Sequence, residues 1–125
     1  MKKVMIVDDS MFMRKVLSDL LPDACEVIEA ESAPKAVELF RAERPDLVLL
    51  DIIMPGEEQA GIGVLRTLME IDPDVRVVMI TALGQDVIIE QCRELGVREY
   101  ITKPFDDKKV RETVERCLGH VVQRT

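Results

Sequence analysis

Five side chains that could take part in catalysis or metal binding follow short apolar runs. The acidic residues Asp8 and Asp9 come after "KKVMIV", and a third carboxylate, Asp51, comes after "DLVLL". The hydroxyl of Thr81 follows "VRVVMI", and the basic side chain of Lys103 follows "REYIT". Apolar runs of this length are typical of strands that are covered on both faces. If these strands are parallel, their carboxyl ends lie along one edge and the five side chains share one crevice.

The three carboxylates would repel one another in such a crevice. Crowded like charges raise each other's pKa unless a cation is present. Because the set offers only oxygen ligands, with neither His nor Cys, it favours Mg²⁺ over zinc. Mg²⁺ takes few protein ligands and keeps several waters, so it leaves positions for phosphate oxygens. We therefore expect a magnesium site formed by Asp8, Asp9 and Asp51.

The remaining two side chains suit a phosphoryl group. The Lys103 ammonium can pair with a transferred phosphoryl group, and the Thr81 hydroxyl can hydrogen-bond another of its oxygens. Phosphoryl transfer needs little from a protein beyond positioning and charge stabilisation. An aspartate carboxylate is itself an established phosphoryl acceptor. The five side chains together predict Mg²⁺-dependent phosphoryl chemistry.

The elements that must position these side chains follow from the rest of the sequence. Five apolar runs alternate with segments in which apolar residues recur at helical spacing. Ser10 and Ser32 stand where helix N-caps belong, and Gly96 and Gly119 suit helix C-termini. This alternation predicts a three-layer (βα)₅ α/β fold with a doubly wound, parallel five-stranded sheet. The predicted strands span 3–8, 25–30, 46–51, 75–81 and 98–102.

Length and composition set the broad class. We expect one domain over 1–125, with the last helix ending near 119 and 120–125 as a tail or the start of a linker. A net charge of −7 argues against binding nucleic acid, and no apolar run approaches the ~20 residues of a membrane span. The three cysteines are unclustered, which predicts free thiols in a reducing compartment. These features together predict a cytoplasmic protein.

Four segments of the chain resemble the receiver domain of bacterial and archaeal two-component response regulators. They are "VMIVDDSMFMRKVL", "PDLVLLDIIMPG", "VVMITALG" and "YITKPF". The resemblance covers nearly the whole chain, and the four motifs are specific in combination at this spacing. It implies a CheY-like fold of the flavodoxin-like type, and a phosphorylation-activated phosphoacceptor rather than an enzyme.

The resemblance implies a role for each residue of the crevice. Asp51 is implied as the phosphoacceptor, with the phosphoryl group supplied by the phosphohistidine of a sensor histidine kinase. Asp8 and Asp9 are implied to hold Mg²⁺, Asp9 most directly. Ile53 is implied to contribute its backbone carbonyl to the metal, and Lys103 to pair with the phosphoryl group.

The resemblance also implies a conformational switch. Thr81 would swing toward the phosphoryl group, and the ring of Tyr100 would turn inward as the threonine moves. Phosphorylation adds about −1.5 to −2 charge, which biases an element with two arrangements. The signal would reach the face made by helix 4, strand 5 and helix 5. Pro104 matches a structural cis proline of the family.

One loop departs from the family pattern. After "MPG", four residues at 57–60 precede Gly61 where two are usual, which we interpret as a two-residue insertion beside the site. The insertion leaves the loop conformation, the kinase contact and the autodephosphorylation rate open. Met11, close to the acid pair, is the candidate for an exposed contact near the site.

The sequence leaves the output open. A stand-alone regulator fits, and so does a receiver cut from a longer protein with a missing C-terminal output domain. The downstream partner is accordingly an effector protein or that domain. We expect a monomer, or a weak dimer through the face made by helix 4, strand 5 and helix 5.

Four alternative functions make different demands on the sequence. A phosphatase of the haloacid dehalogenase type would need a second Asp where Ile53 stands. A flavin or nucleotide carrier would need a glycine-rich loop after the first strand, where Asp8 and Asp9 would repel phosphate. A histidine phosphotransfer protein should be all-helical with a mid-helix histidine, whereas the sole histidine is His120. The main alternative is a receiver fold that acts as a protein-interaction module independently of phosphorylation.

Overall fold

The computed structural model describes residues 1–54, 56 and 59–119. Within these residues five strands and five helices alternate, as the sequence predicts, although each strand is one or two residues shorter than predicted. The elements are β1 (Lys3–Val7), α1 (Met11–Asp19), β2 (Glu26–Ala30), α2 (Ala33–Glu43), β3 (Leu47–Leu50), α3 (Ala60–Ile71), β4 (Val77–Thr81), α4 (Asp86–Glu94), β5 (Glu99–Thr102) and α5 (Asp107–Leu118).

The five strands form one parallel sheet in the order β2-β1-β3-β4-β5. Val7 of β1 lies opposite both Ala30 of β2 and Leu50 of β3. Leu50 in turn lies opposite Met79 of β4. The carboxyl ends of the central strands therefore meet at one edge, and the order of the strands reverses between β1 and β3. In doubly wound sheets this reversal is where ligands bind.

Two hydrophobic cores cover the two faces of the sheet. Because side chains alternate along a strand, Met5 and Val7 of β1 lie in the first core and Val4 and Ile6 in the second. The first core takes its helical residues from α2, α3 and α4, and the second from α1 and α5. Coverage on both faces explains why β1, β3 and β4 are apolar without alternation.

Helix ends follow local signals in the sequence. Ser10 and Ser32 are the N-caps of α1 and α2, as predicted, and their side chains accept hydrogen bonds from backbone amides at 3.1 and 3.3 Å. Gly96 follows α4 with a φ of +103°, a conformation that favours glycine. The cap at Ser10 starts α1 directly after the acid pair.

α3 approaches the end of β3 more closely than a side chain would allow. The amide of Gly61 donates a hydrogen bond to the carbonyl of Ile52 at 2.9 Å. A Cβ atom at Gly61 would lie 2.1 Å from the carbonyl oxygen of Asp51 and 2.5 Å from the Cα of Ile52. Both of these atoms belong to the backbone, so neither can turn aside. Glycine is therefore required at this position, and α3 holds the chain at Asp51.

The structure describes only part of the loop after β3 that carries the predicted two-residue insertion. Glu57 and Glu58 lie outside the described residues. Gln59 has a left-handed backbone with a φ of +56°, and Ala60 is the buried first residue of α3. The tail at 120–125, which includes His120, also lies outside the described residues.

The start of β4 differs from the prediction. β4 begins at Val77 rather than at position 75, because the amide of Val75 closes a turn onto the carbonyl of Asp72.

All three cysteines are free thiols, as predicted. Cys92 and Cys117 are buried, and burial raises the pKa of both. Of the helices in the described ranges, none has the length and hydropathy needed to cross a membrane.

Candidate functional site

Three carboxylates lie together at the carboxyl edge of the sheet. Asp8 and Asp9 follow β1, Asp51 follows β3, and each offers one oxygen that lies within 4.8 Å of the other two. Asp8 and Asp51 are buried, with 2% and 6% of their surfaces exposed, whereas Asp9 is exposed. The cluster forms because β1 and β3 are neighbours in the sheet.

Lys103 is the cation of this cluster. Its Nζ donates hydrogen bonds to Oδ2 of Asp8 at 2.9 Å and to Oδ2 of Asp51 at 3.1 Å. Burial alone lowers the pKa of Lys103, but the hydrogen bonds and charges of the two carboxylates outweigh it. The pKa of Lys103 is therefore raised above its usual 10.5. The ammonium stays charged at any physiological pH.

Backbone amides orient the two buried carboxylates. Oδ1 of Asp8 accepts a hydrogen bond from the amide of Ser10 at 2.9 Å. Oδ1 of Asp51 accepts one from the amide of Ile53 at 3.1 Å. Each carboxylate thus has one oxygen on an amide two residues later and the other on Lys103.

The cluster fits a hard divalent cation. The three carboxylates and the ammonium together carry a net charge of about −2. All the side-chain atoms that could bind the metal are carboxylate oxygens, the ligand type that Mg²⁺ prefers in proteins. Asp9 is exposed, so its carboxylate is accessible to an ion from solvent.

A second group of residues lies at the ends of β4 and β5. Thr81 is fully buried, and its Oγ1 accepts a hydrogen bond from the amide of Leu83 at 3.5 Å. The hydroxyl of Tyr100 donates a hydrogen bond to the carbonyl oxygen of the same Leu83. Burial, with smaller contributions from Cys92 and Asp51, raises the pKa of Tyr100 to about 12. Leu83 therefore joins the end of β4 to the ring of Tyr100.

The sequence as a whole matches a family of known proteins. The family model described as response regulator receiver domain matches residues 4–115, a range that includes every residue of the crevice. The chain belongs to the response regulator receiver domain family.

Relatives of this receiver match it over nearly its whole length. It is 41% identical to protein CcdB of Bacillus subtilis, over 96% of this chain and 100% of that protein. It is 37% identical to chemotaxis protein CheY of Bacillus subtilis, over 94% of this chain and 98% of that protein. A chain of the crystal structure of the CheX-CheY-BeF3-Mg²⁺ complex from Borrelia burgdorferi matches with a TM-score of 0.81 and 32% identity, over 95% of this chain and 90% of that chain.

Family membership confirms the predicted fold and the predicted class of function. The structure has the CheY-like doubly wound fold, and the chain is a response regulator receiver of phosphorylation-activated two-component signalling. Receiver domains are phosphoacceptors that interact with histidine kinases and output partners. An interaction module that works independently of phosphorylation is not favoured.

Three exposed apolar side chains lie within four residues of the carboxylates in the sequence. Met11, the predicted contact, is 73% exposed, and its neighbour Phe12 is 75% exposed. Ile53, two residues after Asp51, is 47% exposed. Phe12 is not among the residues predicted from the sequence. Its position off the apolar stripe of α1 that contains Leu17 could have marked it as exposed, because an amphipathic helix buries that stripe.

For two predicted site residues, Ile53 and Pro104, the structure describes a feature of the backbone. The described contact of Ile53 is made by its amide, which donates to Asp51. The metal-binding role of the Ile53 carbonyl stays a prediction. The peptide bond between Lys103 and Pro104 is cis.

Proposed function

We propose that this receiver accepts a phosphoryl group on Asp51 from the phosphohistidine of a sensor histidine kinase. The observation that carries the proposal is the position of Asp51 beside two further carboxylates and under Lys103, at the switch point of the sheet. In this role Asp8, Asp9, Asp51 and the carbonyl of Ile53 would hold Mg²⁺, and the ion would supply positive charge to offset that of the phosphoryl oxygens.

The transfer exchanges one bond to phosphorus for another. A carboxylate oxygen of Asp51 forms a bond to phosphorus while the bond from phosphorus to the imidazole nitrogen breaks, and the electron pair of that bond stays on the imidazole. Lys103 already donates to Oδ2 of Asp51, so its ammonium is in place to pair with the incoming phosphoryl oxygens. Asp51 itself is buried, with 6% of its surface exposed, so few water molecules contact its carboxylate.

The switch that we propose runs from Thr81 to Tyr100. Phosphorylation puts acceptor oxygens beside Asp51, and the Thr81 hydroxyl turns to bond one of them. Its present hydrogen bond is long, at 3.5 Å, so little is lost when it breaks. Leu83 then moves with the loop and changes the contact to the Tyr100 hydroxyl. The change reaches the face made by α4, β5 and α5.

The kinase would have to cover the mouth of the crevice, because its phosphohistidine must reach Asp51. We propose that Met11, Phe12 and Ile53 form the apolar centre of that contact, since all three are exposed and close in sequence to the carboxylates. The output partner would instead contact α4, β5 and α5. Exposed acidic residues on α4, Asp86 and Glu90 among them, favour a partner with basic groups.

Several broader features belong to the same proposal. We infer one receiver domain over 1–125 that is a monomer, or a weak dimer through the face made by α4, β5 and α5. A cytoplasmic location is in keeping with three free cysteines, since such thiols persist in reducing compartments. The downstream partner is an effector protein or a C-terminal output domain.

The proposal is tested with a small phosphodonor in place of the kinase. Incubated with acetyl phosphate, the protein should gain one phosphoryl group by intact-mass spectrometry, and only when Mg²⁺ is present. Asp51→Asn should abolish the gain. Asp74→Asn should leave it unchanged, because it removes an exposed carboxylate that precedes β4, at the opposite edge of the sheet. Incorporation that survives Asp51→Asn would overturn the assignment of the acceptor.

The metal site has its own test. Asp9→Ala should remove most Mg²⁺ binding, measured by calorimetric titration without any phosphodonor. Mg²⁺ affinity that is the same in Asp9→Ala and the unsubstituted protein would contradict the role of Asp9.

A further inference from the structure

Arg14 is a nearly buried cation beside the acid pair, and the proposed phosphoryl chemistry gives it no role. It lies in the first half of α1, and only 12% of its side chain is exposed. Burying a guanidinium is costly unless its N–H groups find partners. The partners that Arg14 does find are therefore informative.

The Arg14 guanidinium joins the acid pair to β2. Its Nη1 donates a hydrogen bond to the main-chain carbonyl oxygen of Asp8 at 2.7 Å. Its Nε donates to Oε1 of Glu29 in β2, also at 2.7 Å. Both distances are short, as expected of charge-assisted hydrogen bonds. Glu29 also offsets the charge of Arg14, so the guanidinium adds little net positive charge beside a site for a cation.

The carbonyl that Arg14 binds belongs to the peptide unit between Asp8 and Asp9. Asp8 is also fixed on its other side, because its amide donates to the carbonyl of Ala30 at 3.1 Å. The Asp8 carboxylate has its own hydrogen bond from Lys103. The exposed Asp9 carboxylate has no comparable hydrogen bond from the described residues. The place from which the Asp9 side chain projects is therefore set by the backbone that Arg14 holds.

We propose that Arg14 is a positioning residue of the magnesium site, which fixes the peptide unit between Asp8 and Asp9 and so aims the Asp9 carboxylate at the ion. This inference rests on the proposed binding of Mg²⁺ by Asp9. Arg14 itself does not touch the ion. Groups that orient metal ligands typically contribute roughly 10–100-fold to metal affinity.

Positioning and simple electrostatics predict opposite effects when Arg14 is removed. Removing Arg14 leaves the Glu29 carboxylate without this partner, and the added net negative charge near a cation site should tighten binding. Loss of positioning should weaken it. Arg14→Met therefore separates the two explanations by sign. Arg14→Lys keeps the charge but lacks the planar fork that reaches Asp8 and Glu29 together.

The test is a calorimetric titration of the purified protein with magnesium chloride, without any phosphodonor. Arg14→Met should raise the Mg²⁺ dissociation constant about tenfold, and Arg14→Lys at least about threefold. Lys15→Met is the matched control, because it removes one positive charge from the same helix at a side chain that is 74% exposed and paired with Asp19. The control should change the constant less than about twofold.

A second readout does not involve the metal. The amide of Asp9 belongs to the peptide unit whose carbonyl accepts from Arg14, so its chemical shift reports on that hydrogen bond. In the metal-free protein, Arg14→Met and Arg14→Lys should both shift this amide signal in the NMR spectrum. Lys15→Met should leave the signal in place.

The outcomes distinguish this inference from the proposed function. An unchanged or lower dissociation constant in a folded Arg14 variant would overturn the role of Arg14 and leave the metal site intact. Failure of the unsubstituted protein to bind Mg²⁺ would overturn the metal site and this inference with it. Thermal unfolding identifies folded variants, and Arg14→Lys decides the matter if Arg14→Met does not fold.

Discussion

Two groups of side chains share the carboxyl edge of the sheet and differ in how they are held. In the first, which we call the acid side, Lys103 donates to Asp8 and Asp51 at 2.9 and 3.1 Å, and backbone amides bind their second oxygens. In the second, the switch side, Thr81 accepts a hydrogen bond at 3.5 Å from Leu83, whose carbonyl accepts one from Tyr100. The acid side is thus tied by several charged contacts and the switch side by few neutral ones.

The proposed function gives the two sides different tasks, and the difference in their contacts fits those tasks. Charge-assisted hydrogen bonds are about twice as strong as neutral ones, so the acid side keeps its geometry before any phosphoryl group arrives. A switch needs a second arrangement of similar free energy, which a few weak neutral contacts permit. We therefore expect substitutions on the acid side to change stability more than substitutions on the switch side.

The largest effect is expected where α3 touches the acid side. Gly61→Ala should lower the free energy of unfolding by at least about 3 kcal/mol, because the new Cβ would overlap the backbone of Asp51 and Ile52. Gly63→Ala is the control, since Gly63 is exposed in the same helix and the change should raise stability by roughly 0.5–1 kcal/mol. Urea denaturation measures both. Equal effects of the two substitutions would contradict the close approach of α3.

The cation of the acid side should come next. Lys103→Met should lower the free energy of unfolding of the metal-free protein by about 2 kcal/mol, because Asp8 and Asp51 lose their shared partner. Added Mg²⁺ should restore part of the loss. Lys35→Met removes an exposed ion pair with Glu38 and should cost less than about 0.5 kcal/mol. A Lys103→Met protein as stable as the unsubstituted one would show that the acid side is not held by this lysine.

On the switch side, the ionisation of Tyr100 reports how well its ring is covered. The phenol should titrate near pH 12 rather than 10, because burial raises its pKa to about 12. A raised pKa favours the protonated form in the folded state, so the associated stability is complete below pH 10 and is lost as the pH rises from 10 to 12. Tyr100 is the sole tyrosine and the chain has no tryptophan, so ultraviolet absorbance follows it directly. A midpoint near 10 would mean that the ring faces solvent.

The smallest effect is expected at Thr81. Thr81→Val should change the free energy of unfolding by less than about 1 kcal/mol, since the hydrogen bond that it removes is long. Thr113→Val gives a comparison at a second buried threonine, whose Oγ1 has no hydrogen-bond partner among the described residues, and it should raise stability by about 1 kcal/mol. Chemical denaturation measures both. A loss of about 2 kcal/mol or more in Thr81→Val would contradict the loose attachment of the switch side.

Much of the site could be predicted because its signals are local. Asp8, Asp9 and Asp51 stand directly after apolar runs, and the parallel fold brings such positions to one edge. Phe12 could have been singled out by its helical phase, because it is an apolar residue off the buried stripe of α1. Arg14 was open to no such inference, because its contacts depend on which elements pack beside α1.

The sequence by itself determined which candidate side chains follow which strand, since the periods of strands and helices depend on neighbouring residues. Only the tertiary structure decided how those side chains are held. Lys103 meets Asp8 across 95 positions of the sequence, and Gly61 meets the backbone of Asp51 because α3 packs at the end of β3. Contacts of this kind depend on distances and directions in space, which a linear pattern of residue types does not specify.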